Sequence, residues 1–471
     1  MAEAKKRVLV TISYSFSIRY VYRSGLLKKL GEFCHPVVGI TWNQEDLVEE
    51  LKNDGFEVYL VPESYRDKTY LSVRRKIDIW FKYFRLKSPS KKIQLRYKDS
   101  FLSFKKKAIY HSRELYNYLK FCLPYVSKRL LEKEKELLPG HTNYKELESF
   151  INSLNIDAVF TVTPFHRQED VLLQVCKNNK KLMLTSILSF DNVTKRGWIP
   201  VEYDLYMVWN KHNDAELQRI YPAIKPKNIY VTGAVQFDFY FKEGYLLSNE
   251  EWRTITGLDT IKRDRKVILY AGGPKTLFPQ EPDYVRDIDD AINSGAIEGD
   301  PVILFRCHPI DHIERWKNSL ANCKNVVFDA SWTGEKIMGE TNVTEFDIKK
   351  LCSTLQYTDV HINICSTMTV DGSAFNKPQI GPAYYKNSAT IGHKLSRLYW
   401  QEHFVPIMQT GAILLARSKE ELIKYINSSL EIKTADVKAS SKAILESTIT
   451  YTDGNSTERV YNLLKEYITA N

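Results

Sequence analysis

Strand-length apolar runs, each followed by a stretch of helical periodicity, recur along this chain in two series, and that rhythm constrains the fold more than any other feature. The first series runs "KRVLVTIS", "YVYRSGLLKKLGE", "PVVGIT", "EDLVEELKNDG", "EVYLVPE". After an interruption it resumes with "NYKELESFINSLN", "IDAVFTVTP", "RQEDVLLQVCKNNK", "LMLTSILSF" and "YDLYMVWN". The second begins near Asn228 with "NIYVTGA" and passes through "KVILYAGG", "DYVRDIDDAINSG", "PVILFRCHP", "VVFDAS", "EFDIKKLCSTLQYT", "DVHINIC" and "PQIGP". Continuous apolar strands alternating with amphipathic helices make parallel sheets covered by helices on both faces. At 471 residues the chain is too long for one ordinary core. The expectation is α/β, two Rossmann-like doubly wound domains facing across a cleft, with ligands beyond the carboxyl ends of the strands. The expected boundaries are 1–220, with an insertion at about 66–140, then 221–450, and a helix over 451–471 that returns to the N-terminal domain.

The segment "CSTMTVDGSAFNKPQIG", Cys365 to Gly381, follows a buried strand. Ser366 and Thr367 at the start of a helix offer hydroxyls and free N–H groups to an anion. Asp371 lies one turn deeper on the same face, where a carboxylate accepts hydrogen bonds from a vicinal diol such as that of ribose. An ordinary N-cap with a favourably placed acid explains the same residues. In "PVILFRCHPID" a strand ends in Arg306 and His308; a guanidinium there holds a phosphate by two parallel hydrogen bonds, or simply pairs with its neighbours. In "KVILYAGGPKTLF" the strand opens into Gly272, Gly273 and Lys275, a loop that admits a pyrophosphate or only makes a turn.

No apolar run reaches the roughly 18 to 20 residues that a membrane helix needs, and the N-terminus does not read as a signal peptide. A cytoplasmic chain is the expectation. The seven cysteines are scattered without a Cys-x-x-Cys pair, which speaks against a disulfide framework or a zinc site and for buried thiols. The net charge of +10 is concentrated: between Leu71 and Glu136 there are 19 Lys or Arg against 6 Asp or Glu, and elsewhere 48 against 51. Aromatic residues interleave with these cations. That composition suits docking on an anionic membrane, with Arg74, Arg75, Trp80, Lys105, Lys106 and Lys107 as contacts to lipid or acceptor. Single-stranded nucleic acid suits it too, although no nucleic-acid module accompanies it, and so does a solvated helical hairpin.

The ordered set "VTGAVQFD", "VILYAGGPK", "LFRCHP" and "TDVHINICSTMTVDGSAFNKP" resembles the donor half of GT-B glycosyltransferases, nearest the bacterial CDP-glycerol glycerophosphotransferases and related surface-polysaccharide transferases. "LSFDNVTKRGWIPVEYDLYMVWNKHNDAEL" is similar to a Trp-Asp-Asn-x-Thr-x-Lys-Gly block of predicted polysaccharide glycosyltransferases, with Phe190 in place of the Trp. The resemblance covers about Leu188 to Pro378. It departs where the glycerophosphotransferases carry Pro-Thr-Trp-Arg, here Gly272 to Lys275, and Asp-Tyr-Ser-Ser, here Ile364 to Thr367. It implies that Arg306, His308, Ser366, Thr367 and Asp371 bind a nucleotide diphosphate and its ribose, with Gly273 and Lys275 at the leaving phosphate. It also implies no cofactor beyond the nucleotide-activated donor and no metal, because cationic side chains and the helix N-terminus neutralise the departing group. The "DID" of Asp287 and Asp289 then reads as a solvated helix face. For the base that takes the acceptor proton, the candidates after N-terminal strands are Asp191 first, then His166 and Glu169, with a turn-forming Asp-Asn pair and a helix cap as structural alternatives.

The expected activity is transfer of a sugar or polyol phosphate to a membrane-associated surface-glycan acceptor. A nucleotide-sugar 2-epimerase shares the donor half but has no use for the basic aromatic insertion. A non-catalytic glycan- or nucleotide-binding scaffold is the third reading.

Overall fold

The computed structural model describes residues 5–63, 67–141, 143–274, 277–332 and 341–470. They form two compact units, the first built from 1–88, 102–236 and 455–471, the second from 89–101 and 237–454.

The first unit holds a parallel seven-stranded sheet of β1 (Arg7–Ile12), β2 (His35–Ile40), β3 (Glu57–Leu60), β4 (Ala158–Thr161), β5 (Leu182–Ser186), β6 (Leu205–Val208) and β7 (Ile229–Val231). Their order is β3-β2-β1-β4-β5-β6-β7. Successive residues of one strand enter opposite cores: Leu9, Val37 and Val159 pack on one face, and Val8, Val10, Val38 and Phe160 on the other. Two buried faces explain why these strands are apolar throughout. The second unit carries β8 (Val267–Ala271), β9 (Val302–Arg306), β10 (Val326–Asp329), β11 (Val360–Asn363), β12 (Gln379–Pro382) and β13 (Ile413–Ala416), ordered β10-β9-β8-β11-β12-β13. The first sheet therefore winds 3-2-1-4-5-6-7 and the second 3-2-1-4-5-6, and the order reverses at β1/β4 and at β8/β11. Crevices at such reversals are where doubly wound sheets take ligands.

Several sequence expectations change. "NIYV" does not open the second sheet; β7 pairs with β6, Met207 opposite Tyr230, and extends the first. The insertion is not one body, because its helix Pro89–Asp99 belongs to the second unit. There Tyr97 is fully buried and its hydroxyl accepts from Gln280 Nε2 at 2.7 Å, while Ser90 Oγ accepts the Glu402 N–H at 2.7 Å. Asp287 and Asp289 are buried rather than solvated: Asp287 accepts from the Tyr384 hydroxyl at 2.9 Å and Asp289 from the Asn325 N–H at 2.8 Å. Of the cysteines, Cys122 is exposed. The helix Ser456–Ala470 packs on the first unit through Val460, Leu464 and Ile468, with the Tyr461 hydroxyl on Glu32 at 2.7 Å.

Arg74 and Trp80, read as surface contacts, are interior. On helix Lys68–Phe81 they share a stripe with Tyr70, Val73, Ile77 and Phe81. Trp80 meets the Trp198 ring edge-on at 5.9 Å. Arg74 is 1% exposed and donates to Asp170 at 2.7 Å and to the Trp198 carbonyl at 3.0 Å, with Glu134 at 3.5 Å. Two buried acids thus share one guanidinium. Burial outweighs the attraction of Arg74 for both, pushing Asp170 up to about 6 and Glu134 to about 7. The native state holds a proton on Glu134 that the unfolded chain has lost, so this contribution is present at low pH and disappears as pH rises from about 4.5 through 7. Glu134→Gln, fixed in the neutral form, gains on the wild type across that window by at most about 1.4 kcal/mol per pH unit. Urea unfolding of both proteins between about pH 5 and 8 checks this, and parallel curves contradict it.

Candidate active site

At β8/β11, the loop after β8 turns at Gly273, whose N–H donates to both oxygens of Glu281, at 3.0 and 2.8 Å. A Cβ at Gly273 would lie 2.5 Å from the Phe278 ring, so the loop admits only glycine there. Glu281 is wholly buried and pushed up to about 8, burial dominating the Gly273 hydrogen bonds. Lys275 lies outside the described residues.

Arg306 ends β9 but is not available to a phosphate. It is 7% exposed and gives Nη1 to Asp329 at 2.5 Å and Nη2 to the Ser331 carbonyl at 3.0 Å. Lys350 takes the other oxygen of Asp329 at 2.6 Å. Asp329 closes β10 beside Arg306 in register, so the sheet itself makes this pair. His308 is better placed. Its Nδ1 accepts the Ile310 N–H at 3.2 Å and burial holds it down at about 4, which leaves a neutral, half-buried ring with its hydrogen on Nε2.

After β11, Cys365 takes a left-handed φ of +36°, and Asn363 Oδ1 holds the turn by accepting the Ser366 N–H at 3.2 Å and the Thr369 hydroxyl at 2.9 Å. Ser366 Oγ accepts the Met368 N–H at 3.3 Å, and Thr367 is exposed at the helix start with no capping bond from its own hydroxyl. Asp371 is 8% exposed and accepts from the Tyr240 hydroxyl at 2.7 Å. Gly372 lies against His361 and Gln379: a Cβ would fall 2.2 Å from His361 Nδ1 and 2.4 Å from Gln379 Nε2. The structure thus brings Gly273, Ser366, Thr367 and Asp371 to the reversal of the second sheet and His308 to the next strand end. Sequence reading missed Tyr240, Asn363, Glu281, Asp329 and Lys350; Asp329, ending an apolar strand, carried the one visible signal.

In the first unit, Glu169 is not exposed at all. It accepts from Thr11 at 3.1 Å, Thr161 at 2.5 Å and Thr163 at 2.6 Å, and burial raises its pKa against these bonds. It ties β1 to β4 from within, and a proton acceptor without access to substrate is no base. His166 follows β4, packs against the Tyr14 ring at 6.1 Å and is held down at about 4 by burial, then by Arg196. Its Nδ1 has no hydrogen-bond partner among the described residues. Asp191 follows β5 and binds Lys195 at 3.0 Å and Asn192 Nδ2 at 2.9 Å. Of the remaining membrane candidates, Arg75, Lys105 and Lys106 are exposed and Lys107 half-buried.

A family model described as CDP-Glycerol:Poly(glycerophosphate) glycerophosphotransferase matches residues 178–466. The chain belongs to that family. It is a transferase of GT-B fold that uses a nucleotide-activated donor. No curated protein matches it significantly. Among solved structures it is similar to a UDP-N-acetylglucosamine 2-epimerase, so described, from Listeria monocytogenes, at 11% identity and TM-score 0.57 over 99% of this chain and 98% of that one. A glycosyltransferase from Rickettsia africae matches at 13% identity and TM-score 0.55 over 100% of both chains. The UDP-GlcNAc 2-epimerase of Methanocaldococcus jannaschii gives 12%, 0.53, 98% and 99%.

Proposed function

We propose that this enzyme transfers a polyol phosphate or a sugar from a nucleotide-linked donor to a membrane-associated surface-glycan acceptor. The observation that carries the reading is the family match, which spans nearly all of the second unit. Asp371, steadied by Tyr240, takes the ribose diol; the Nε2–H of His308 and the N–H groups around Ser366 take the phosphates. Among the base candidates His166 fits best, because both oxygens of Asp191 already hold donors and Glu169 is sealed in. Metal is not required in this scheme. Incubation with radiolabelled CDP-glycerol and with UDP- and GDP-sugars, with and without acceptor and in excess EDTA, tests it. The expected result is label in the acceptor, only with acceptor present, and unaffected by EDTA. An epimerised free nucleotide sugar formed without acceptor would overturn it.

The membrane part rests on helix Phe104–Phe121. Its inner face docks through Phe121, 3% exposed, and through Glu114 on Lys82 at 2.8 Å. The outer face leaves Phe104 86%, Leu115 59% and Leu119 57% exposed along one stripe, with Ile109 and Tyr116 beside them. Lys106, Arg113 and Lys120, seven residues apart and all exposed, line the next edge. An apolar stripe beside a cationic row matches an interfacial helix on anionic lipid. No helix among the described residues is long and apolar enough to cross a membrane. Leu115→Asp with Leu119→Asp weakens binding to anionic vesicles at least about tenfold while turnover on a soluble short acceptor persists. Co-sedimentation checks this, and unchanged binding contradicts it.

A further inference from the structure

Three strand ends of the first sheet converge on one cluster that the transfer scheme uses only in part. Tyr14 follows β1, His166 follows β4, and Asp191, Lys195 and Arg196 lie in the turn and short helix after β5. Arg196 lies close enough to Tyr14 and to His166 to act on the protonation of both, Tyr14 and His166 pack ring to ring at 6.1 Å, and Asp191 is near enough to act on Tyr14. Asp191 is itself held by Lys195 at 3.0 Å. Arg196 is exposed, and among the described residues it has no carboxylate partner. Two cations therefore face one acid. On the same strand ends, His166 Nδ1 and the hydroxyl of Thr194, two residues before Arg196, are buried without a hydrogen-bond partner among the described residues. Buried polar atoms are nearly always bonded, so unpartnered ones on the strand ends that carry an unpaired guanidinium mark a place where a ligand completes the set.

We propose that Arg196, beside Tyr14 and His166 and next in sequence to Lys195, binds a phosphoryl group of the acceptor. The guanidinium fork matches two phosphate oxygens, and the one acid of the cluster, Asp191, is already offset by Lys195 at 3.0 Å. The ligand class rests on the transfer reading above, since the family's named acceptor is a poly(glycerophosphate). In that arrangement Arg196 is a specificity residue: it selects acceptors that carry phosphate near the reacting hydroxyl, and it makes no contact with donor.

The test uses the full-length enzyme, Arg196→Ala and Arg196→Lys, with a short glycerol phosphate oligomer and with a neutral glycoside of the same length as acceptors. Arg196→Ala should raise KM for the phosphorylated acceptor about ten- to hundredfold, with kcat changed less than about threefold, and leave KM for the neutral acceptor and calorimetric donor affinity as in the wild type. Arg196→Lys should recover part of the loss, keeping the charge without the fork. Equal rises in KM for both acceptors, or no rise for either, would overturn the assignment. Calorimetric titration with glycerol 3-phosphate reads the site without turnover: binding lost in Arg196→Ala supports it, and binding unchanged sinks it. If the wild type transfers from no nucleotide donor, the transfer reading falls, and this titration still decides the anion site.

Discussion

Arg74→Ala will destabilise the first unit by about 3–5 kcal/mol, because it strands Asp170 and Glu134 as two buried acids without a cation. That is a large part of the 5–15 kcal/mol that holds an ordinary domain together. The expected observation is a fall in the unfolding midpoint and loss of soluble protein on expression, with vesicle binding of the surviving folded fraction unchanged. Asp170→Asn combined with Glu134→Gln in the Arg74→Ala background should recover much of the loss, since neutral amides need no counter-charge. Undiminished stability with weakened vesicle binding would instead return Arg74 to the membrane surface, where its place in a run of cations first put it.

Gly372→Ala carries the largest expected effect on activity. The added methyl would meet His361 and Gln379, which are 2% and 3% exposed. His361 is fixed by its Nε2 contact with Thr358 at 2.8 Å, and burial keeps its ring neutral, down at about 3. The helix must then lift from the sheet, carrying Asp371 off the Tyr240 hydroxyl. Overpacking of this kind costs about 1–3 kcal/mol, and a displacement of about an ångström at a binding group lowers the rate by about a hundredfold. Turnover and nucleotide affinity should fall together while the melting temperature drops modestly. A variant with wild-type turnover would remove Asp371 from the donor site.

The doubly wound architecture was legible because its signal is local: strands buried on both faces are continuous apolar runs, and the helices between them keep their period. What could not be read was whatever depends on a partner far away in sequence. β7 spans three residues, and only its pairing with β6 decides which sheet it joins. Arg306 looked free because its acid, Asp329, stands on the neighbouring strand. Arg74 was the exception that a closer reading would have caught, since a single cation in the stripe of Tyr70, Val73, Ile77 and Phe81 demands buried acids somewhere else. Charge counting missed it, because a sum over a segment ignores which way each side chain faces. In the first unit the strand-end rule singles out His166 and Asp191, which follow β4 and β5, but Glu169 obeys the same rule and is buried where it holds β1 against β4.

Helix Pro89–Asp99 also fixes an order of events during synthesis. Ser90 leaves the ribosome 312 residues ahead of Glu402, whose N–H it accepts, and at about 5–20 residues per second that is roughly 15 to 60 s. For the first part of that interval, until Gln280 follows Tyr97 by 183 residues, the strands β4 to β7 of the first unit are being made while Tyr97 stays in water. The nascent chain therefore carries that helix unburied for longer than most small domains take to fold, which makes it a place for aggregation or chaperone binding until β8 and Gln280 have been made.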